Sequence, residues 1–493
     1  MAHLGLSSTV ESHAILEKTI NRFKNKGIRL PRFSELQSPQ TISKDIREKL
    51  KEIDPNEPHP LNLFRIHWYN SPDKDVFSTI PHYVVLPPEL TGIKAKIVVM
   101  IGAHFPMISA HKVLAAYGCL APRLVTGQFD PDKHKAIWPS TGNYCRGGVA
   151  VSKIMDCRGV AILPEEMSEE RFSWLRKWCT SEEDIIATPG CESNVKEIYD
   201  KCNELDSEPD NIIFNQFSEF GNPLIHYSCT GKALEDVFLD LQQSNPECRL
   251  NSFISATGSA GTLAAGDYLK EQFGSTIVAV EALECATLLY NGFGGHNIQG
   301  IGDKHVPFVH NAMNTDFVAA ISDQNTDHLF TLFNMPAGLD YLRTRKNVDE
   351  PTIENLKLFG LSSICNILAA IKYAKYMELG PDEVLMTVAT DSAEMYQTEK
   401  EKVLCKPEFN PFNQLGAAEI YSQFMAGVGT DHIHELSQKD KERIFNLGYY
   451  TWVEQQGVSI EAFNARKPSS YWEHLREYIG RWDKLIDSFN SRL

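Results

Sequence analysis

Residues 253–262 read Phe-Ile-Ser-Ala-Thr-Gly-Ser-Ala-Gly-Thr, an apolar strand that runs into a loop of small and hydroxyl-bearing residues. Residues 261–273 are predicted to be helical. Small residues let a backbone approach a phosphate closely, and the positive end of the helix dipole favours its charge. The loop is not a Walker loop, because no Lys-Ser/Thr pair follows its last glycine. This stretch alone leaves both a phosphate-binding loop and an ordinary strand-to-helix turn open.

The pattern of an apolar strand followed by a helix recurs along the middle of the chain. Short apolar runs that are typical of buried strands lie at 97–101, 159–163, 277–280 and 384–388. Helical stretches lie between them, and this alternation predicts parallel βαβ units in an α/β fold. Residues 1–80 are polar and carry several prolines, whereas the chain after about residue 400 is helical and aromatic. Both ends are therefore interpreted as extensions.

Length and charge limit the class of protein. A chain of 493 residues is long enough for two or three packed domains. A net charge of −16 argues against broad contact with nucleic acid or an anionic membrane, since both require a positive surface. The eleven cysteines stand singly, which favours free thiols in a reducing compartment. No signal peptide and no long apolar span are visible, so a cytoplasmic protein is expected.

Three further segments carry polar groups near predicted strand ends. Ser109-Ala110-His111-Lys112-Val113 follows the first strand, and its lysine could reach a ligand at the edge of the sheet. Pro139-Ser140-Thr141-Gly142-Asn143-Tyr144 offers hydroxyls and backbone donors to an anion such as a carboxylate. Thr390-Asp391-Ser392 ends a buried strand. Each segment also has an ordinary interpretation, as a surface lysine, a helix cap or a turn.

The order of these segments over residues 95–396 resembles the cysteine synthase and cystathionine β-synthase branch of fold-type II pyridoxal-phosphate enzymes. Ser140-Thr141-Gly142-Asn143 resembles the substrate loop of that family, and Gly258-Ser259-Ala260-Gly261-Thr262 resembles its GTGGT phosphate loop. The remaining matches are Gln216-Phe217, Asn222-Pro223, His226-Tyr227, Thr230-Gly231, the "IxGIG" segment at 298–302 and Asp391-Ser392.

The chain also departs from the family pattern. The lysine segment is more similar to the "GAHK" of tryptophan synthase β subunits than to the usual "GSxKDR". Ser259 and Ala260 stand where threonine and glycine are common, although both are small enough to preserve the backbone geometry. Tyr144 replaces a threonine, and Cys145-Arg146 replaces a small apolar pair, so these departures bear on the substrate more than on the chemistry.

The resemblance implies two three-layer α/β/α domains with parallel-rich sheets, plus helical N- and C-terminal extensions. The expected parts are an N-terminal extension at 1–80, a large cofactor-binding domain at 81–112 and 236–400, a smaller mobile domain at 113–235, and a helical C-terminal extension at 401–493. A homodimer is expected by analogy with the family.

The resemblance also implies site residues. Lys112 would form the Schiff base with pyridoxal 5′-phosphate and act as the catalytic base. The other expected cofactor contacts are His111, Asn143, Gly258, Ser259, Ala260, Gly261, Thr262 and Ser392, with Asp391 as a rival to Ser392 at the pyridine nitrogen. The substrate carboxylate is expected at Ser140, Thr141, Gly142, Asn143 and Gln216. No metal ligand is expected.

The implied activity is β-elimination or β-replacement on a small amino acid through an aminoacrylate. One alternative is a deaminating ammonia-lyase or dehydratase that releases a keto acid, and a second is a non-catalytic pyridoxal-phosphate-binding protein. A nicotinamide dehydrogenase is disfavoured, because Gly292-Phe293-Gly294-Gly295 follows no predicted strand.

Overall fold

The structure is a computed structural model that describes residues 4–406 and 411–493, so the expected extensions at 1–80 and 401–493 each include a few residues outside it. The strands of the described residues follow the apolar runs of the sequence. They are β1 (Tyr83–Leu86), β2 (Lys96–Ile101), β3 (Lys135–Pro139), β4 (Arg158–Pro164), β5 (Ile185–Thr188), β6 (Asn211–Ile213), β7 (Arg249–Ala256), β8 (Thr276–Ala282), β9 (Phe317–Ile321), β10 (Glu383–Ala389) and β11 (Ile433–Glu435).

The strands form two sheets. The larger has the order β1-β2-β10-β7-β8-β9-β11, in which the five central strands run parallel and the two edge strands pair antiparallel. The smaller has the order β5-β4-β3-β6, and all its strands run parallel. Parallel strands place their carboxyl ends at one edge of the sheet, which is where loops from distant parts of a sequence meet.

The α-helices connect and cover these strands. They are α1 (His13–Lys26), α2 (Phe33–Gln37), α3 (Lys44–Leu50), α4 (Pro88–Thr91), α5 (Lys112–Val125), α6 (Asn143–Ile154), α7 (Glu169–Trp178), α8 (Val195–Asp206), α9 (Gly221–Ile225), α10 (Gly231–Ser244), α11 (Ala264–Phe273), α12 (Thr287–Tyr290), α13 (Asp323–Asn334), α14 (Pro336–Arg345), α15 (Glu350–Asn355), α16 (Leu361–Tyr376), α17 (Gln397–Leu404), α18 (Gln414–Ile420), α19 (Gln438–Tyr449), α20 (Ile460–Asn464) and α21 (Ser469–Asn490). Within the described ranges, no helix has the length and apolar character needed to cross a bilayer.

Both faces of the larger sheet are buried. Along β2, Ile97 and Val99 belong to one apolar core, whereas Val98 and Met100 belong to the other. Helix α16 packs on the first face and α11 on the second. The continuous apolar run at 97–101 of β2 is therefore explained by burial on two sides. The predicted α/β fold with parallel-rich sheets is confirmed, and the domain boundaries stay a prediction.

The two ends of the chain are joined to each other. The indole Nε1 of Trp482 in α21 donates to the Ser7 carbonyl at 2.7 Å. The Asn490 amide exchanges two hydrogen bonds with the backbone of Leu30, at 3.1 and 2.8 Å. The Asp483 carboxylate accepts from the Phe33 backbone N–H at 2.6 Å. Because α21 also packs against α5, the joined ends brace the helix that begins at Lys112.

We expect Trp482→Ala to destabilise the protein strongly. The Trp482 side chain is fully buried, and its ring packs edge-on against Phe33 at 5.7 Å. Removing a buried aromatic side chain costs about 3–5 kcal/mol. Urea unfolding followed by circular dichroism measures the loss. Tyr450→Ala, at an exposed aromatic residue of the same extension, should change the free energy of unfolding by less than about 0.5 kcal/mol. Equal effects of the two variants would show that the joined ends add no stability.

Candidate active site

The carboxyl ends of both parallel sheets face one cavity. The larger sheet contributes Lys112 after β2, the loop after β7 and Thr390 after β10. The smaller sheet contributes the loop after β3 and Gln216 after β6. Of the residues predicted from the sequence, the cavity wall contains Lys112, Ser140, Thr141, Asn143, Gln216, Gly258 and Ser259. Ala260 and Thr262 line an adjoining cavity that Lys112 and Gly258 also border.

Lys112 is the first residue of α5, and its amine points toward the glycine-rich loop. The Nζ atom donates to the Ser259 hydroxyl at 3.3 Å. Removal from water lowers the pKa of the Lys112 ammonium to about 8, although the Asp303 and Glu192 carboxylates oppose this shift. A larger fraction of the amine is therefore neutral near physiological pH than in an exposed lysine, as a nucleophile requires.

The glycine-rich loop leaves no room for larger side chains at two positions. A Cβ at Gly258 would lie 2.7 Å from the Gly300 carbonyl oxygen, and one at Gly261 would overlap the Asn222 amide. The loop leads into α11 through a short turn, so its backbone donors and the helix dipole favour an anion. The described residues therefore fit a group that carries both a phosphate and a carbonyl for Lys112.

His111 lies beside this loop. Its Nε2 is 3.2 Å from the Thr262 hydroxyl, and its ring stacks on Trp68 with centroids 5.3 Å apart. Burial lowers the pKa of the imidazole well below 6.5, so the ring is neutral. His111 thus contacts the loop at Thr262, and its role at a phosphate stays a prediction.

The loop after β3 is held in an unusual backbone conformation. Gly142 has φ +149°, and a Cβ there would overlap the Arg171 side chain. The Ser140 hydroxyl accepts from the Gly142 N–H at 3.0 Å, which closes the turn. Asn143 then begins α6. Only glycine fits at position 142, because both the dihedral angle and the neighbouring guanidinium exclude a side chain.

The Asn143 amide is engaged at both ends. Its Nδ2 donates to the Asp391 carboxylate at 2.7 Å, and its Oδ1 accepts from Arg146 at 3.0 Å. Arg146 also donates to the Ile108 carbonyl at 3.2 Å, just before Lys112. Arg146, which departs from the family pattern, thus connects the substrate loop to the lysine segment.

Asp391 is directed toward this network. Its carboxylate also accepts from the Tyr396 hydroxyl at 2.8 Å and lies 3.8 Å from the Arg171 guanidinium. Among the described residues, the cavity wall includes Thr390 but not Ser392, which is buried just after Asp391. The role of Ser392 at a pyridine nitrogen stays a prediction.

The cavity contains polar residues that were not among the predicted site residues, although Thr390 belongs to one of the segments singled out in the sequence. They are Glu192, Asp303, Ser362 and Thr390. Asp303 directly follows the "IxGIG" segment at 298–302, so this motif could have identified it as a candidate site residue. Glu192 lies in the connection between β5 and α8 and belongs to none of the quoted motifs. Within the part of the chain that the structure describes, no cluster of histidine, cysteine or acidic side chains could hold a metal ion.

Comparison with known proteins gives consistent relatives. The chain is 30% identical to cysteine synthase B of Campylobacter jejuni over 258 residues, which cover 51% of this chain and 75% of that protein. It is 25% identical to cystathionine β-synthase of Saccharomyces cerevisiae over 327 residues, 63% of this chain and 59% of that protein. The solved cysteine synthase of Entamoeba histolytica superposes with a TM-score of 0.54 at 20% identity, over 70% of this chain and 94% of that one, which shows a shared fold. No family model matches the chain.

We expect Ala260→Gly to stabilise the protein. Ala260 has φ +61°, in the left-handed region that costs an L-residue roughly 1–2 kcal/mol. Glycine removes this strain but gains freedom in the unfolded chain, so the free energy of unfolding should rise by about 0.5–1 kcal/mol. Urea unfolding of the cofactor-free protein measures the change.

The matched control is Ala265→Gly, in the neighbouring helix α11. Glycine within a helix should lower stability by at least about 0.5–1 kcal/mol. A loss of stability in both variants would mean that the strain at position 260 is already relieved in the native protein.

Proposed function

We propose that Lys112 binds pyridoxal phosphate in this chain, which belongs to the cysteine synthase and cystathionine β-synthase family. The chain is therefore an enzyme that catalyses β-elimination or β-replacement on an amino acid. The observation that carries this proposal is the Lys112 amine, which lies 3.3 Å from Ser259 in a glycine-rich loop. The same cavity is bordered by the hydroxyl-bearing loop at Ser140 and Thr141.

The residues of the larger sheet would hold the cofactor. Lys112 supplies the amine for covalent attachment, and Gly258 to Thr262 supply backbone donors for the phosphate. When bound, the cofactor supplies an electron sink that acidifies the Cα–H bond of the substrate. With substrate in the cavity, the Lys112 Nζ would be the group that accepts the Cα proton.

The residues of the smaller sheet would hold the substrate. The Ser140 and Thr141 hydroxyls and the Gln216 amide line the cavity opposite the glycine-rich loop and suit a carboxylate. Asn143 is already bonded to Asp391 and Arg146, so we assign it to positioning this loop. The choice between replacement and elimination then depends on whether a second substrate or water reaches the site. We also propose a homodimer, by analogy with the family, and light scattering of the holoenzyme tests it.

We expect Lys112→Ala to lose both covalent attachment and turnover. Without the amine, borohydride treatment in the presence of pyridoxal phosphate should leave no label on the peptide that contains position 112. Two rates should fall about 100- to 10,000-fold. They are the formation of cysteine from O-acetylserine and sulfide, and the release of keto acid from serine. Absorbance in the visible range and peptide mass mapping provide the measurements.

Lys74→Ala is the matched control. Burial lowers the pKa of the Lys74 ammonium to about 8 as well, but its Nζ donates to the Ser109 hydroxyl at 2.8 Å, outside the cavity wall. Label and turnover should persist in this variant. Label on Lys74 in the wild type would refute the assignment of Lys112. Label on Lys112 without turnover of any amino acid would favour a non-catalytic binding protein.

The rate of cofactor attachment should depend on pH in a specific way. Only the neutral amine attacks a carbonyl, and the pKa of Lys112 is lowered from 10.5 to about 8. The attachment rate should therefore rise with pH up to about 8 and then level off. Stopped-flow absorbance on the cofactor-free protein measures it. A rate that continues to rise toward pH 10 would show that Lys112 is an ordinary exposed lysine.

A further inference from the structure

Two carboxyl groups line the cavity without a role in the mechanism above. Glu192 comes from the smaller sheet, in the connection between β5 and α8, and is 1% exposed. Asp303 comes from the chain after β8 of the larger sheet and is 7% exposed. One oxygen of each carboxyl, Oε2 of Glu192 and Oδ2 of Asp303, has no hydrogen-bond partner among the described residues. Both groups line the same cavity as Lys112.

Asp303 is held against the cofactor loop by its backbone. The Gly302 N–H donates to the Thr257 carbonyl at 2.9 Å, directly before the glycine-rich loop. The Asp303 carbonyl accepts from the Thr287 hydroxyl at 3.1 Å. Gly302 has φ +79°, and a side chain there would overlap His296. These contacts fix the backbone and leave the Asp303 carboxyl directed into the cavity.

Glu192 approaches from the opposite side. The Thr141 hydroxyl and the Gly300 backbone N–H lie close enough to its carboxyl to offset part of the rise in its pKa that burial causes. The neighbouring Ser193 hydroxyl donates to the Gly294 carbonyl at 2.7 Å, which ties this connection to the larger sheet. Glu192 therefore lies between the predicted substrate loop and the segment that carries Asp303.

Burial makes it costly for both carboxyls to be ionised together. Burial raises the pKa of Glu192 to about 8 and that of Asp303 to about 7, and the negative charge of Asp303 adds to the rise in the pKa of Glu192. The opposing cations are Arg171 for Glu192 and Lys112 for Asp303. Arg171 is already bonded to Gln299 and Tyr396. Near neutral pH the pair as a whole therefore keeps about one proton.

We propose that Glu192 and Asp303 form an acid pair that protonates the leaving group on the β-carbon of the substrate, so that the enzyme acts on a β-hydroxy amino acid. This inference rests on the proposed function. The Cβ–O bond breaks and its electrons stay on oxygen, which takes the carboxyl proton and leaves as water. The Cα proton goes to Lys112, and the Cα–H electrons form the Cα–Cβ double bond. In replacement, the proton of a thiol nucleophile restores the pair.

The chemistry of the leaving group favours this assignment. Hydroxide is a poor leaving group and departs readily only when an acid protonates it, whereas acetate or chloride leaves without a proton. The pair would also repel a leaving group that carries its own negative charge, such as a phosphate ester. A buried acid pair is therefore useful for a serine-type substrate and superfluous for an activated one.

The test compares L-serine with β-chloro-L-alanine in the wild-type holoenzyme, Asp303→Asn and Glu192→Gln. In both variants kcat for serine should fall about 100-fold or more, because general acid catalysis contributes about 10²- to 10⁴-fold. The rate with β-chloroalanine should change less than about threefold, because chloride needs no proton. The visible absorbance of the bound cofactor should be unchanged. The wild-type rate with serine, but not with β-chloroalanine, should fall as the pH rises above about 8.

Asp267→Asn is the matched control, since this buried carboxyl is bonded to Asn311 and Asn314 and should affect neither substrate. Equal losses on the two substrates would assign Glu192 and Asp303 a structural role and overturn the acid pair. Unchanged rates with serine would overturn it as well. A wild-type holoenzyme that turns over β-chloroalanine but not serine would refute the inference alone. One that turns over neither substrate would refute the proposed function and this inference with it.

Discussion

The carboxylate of Asp391 is the contact on which the geometry of the cavity depends. It follows β10 of the larger sheet and accepts a hydrogen bond from Asn143, which begins the first helix after β3 of the smaller sheet. It is fully buried 3.8 Å from the equally buried Arg171, whose positive charge offsets part of the rise in pKa that burial causes in this carboxyl. Gly360 leaves room for this carboxylate, because a Cβ there would overlap it. The loop that carries Ser140 and Thr141 is thereby fixed relative to Lys112.

Much of the fold and part of the site could be predicted from the sequence, because each rests on local signals. The buried strands are continuous apolar runs, and the polar residues that follow them meet at the edge of a parallel sheet. Strand β11, Ile433–Glu435, could not be predicted, since Ile-His-Glu has no strand pattern and pairs only because the edge of β9 is available. Glu192 stands in a segment whose composition is typical of a solvated loop, and only the tertiary structure buries it. Asp391 and Ser392 are adjacent in sequence, and which of them faces a ligand depends on a turn that composition does not encode.

The departures from the family pattern have physical explanations in the structure. Arg146 replaces a small residue because it bonds both Asn143 and the Ile108 carbonyl. Ala260 preserves the small volume of the usual glycine but not its conformational freedom, since its φ is positive. Small size and backbone permissiveness are separate properties, and the sequence interpretation treated them as one. The acidic residues of the cavity, Glu192 and Asp303, bear on the proposed substrate rather than on the fold.

The joined ends of the chain have a consequence for biosynthesis. The backbone N–H groups of Leu30 and Phe33 donate to the Asn490 amide and the Asp483 carboxylate, which lie 460 and 450 residues further along the chain. Phe23 likewise packs against Phe489, with ring centroids 5.4 Å apart. In an emerging chain the apolar side chains of this segment therefore lack their partners from α21 until that helix leaves the ribosome. Such long-range closure is slow and exposes the nascent protein to aggregation. The brace behind α5 can therefore form only once α21 has been made, and a chaperone that shields the segment around Leu30 and Phe33 would serve this protein until then.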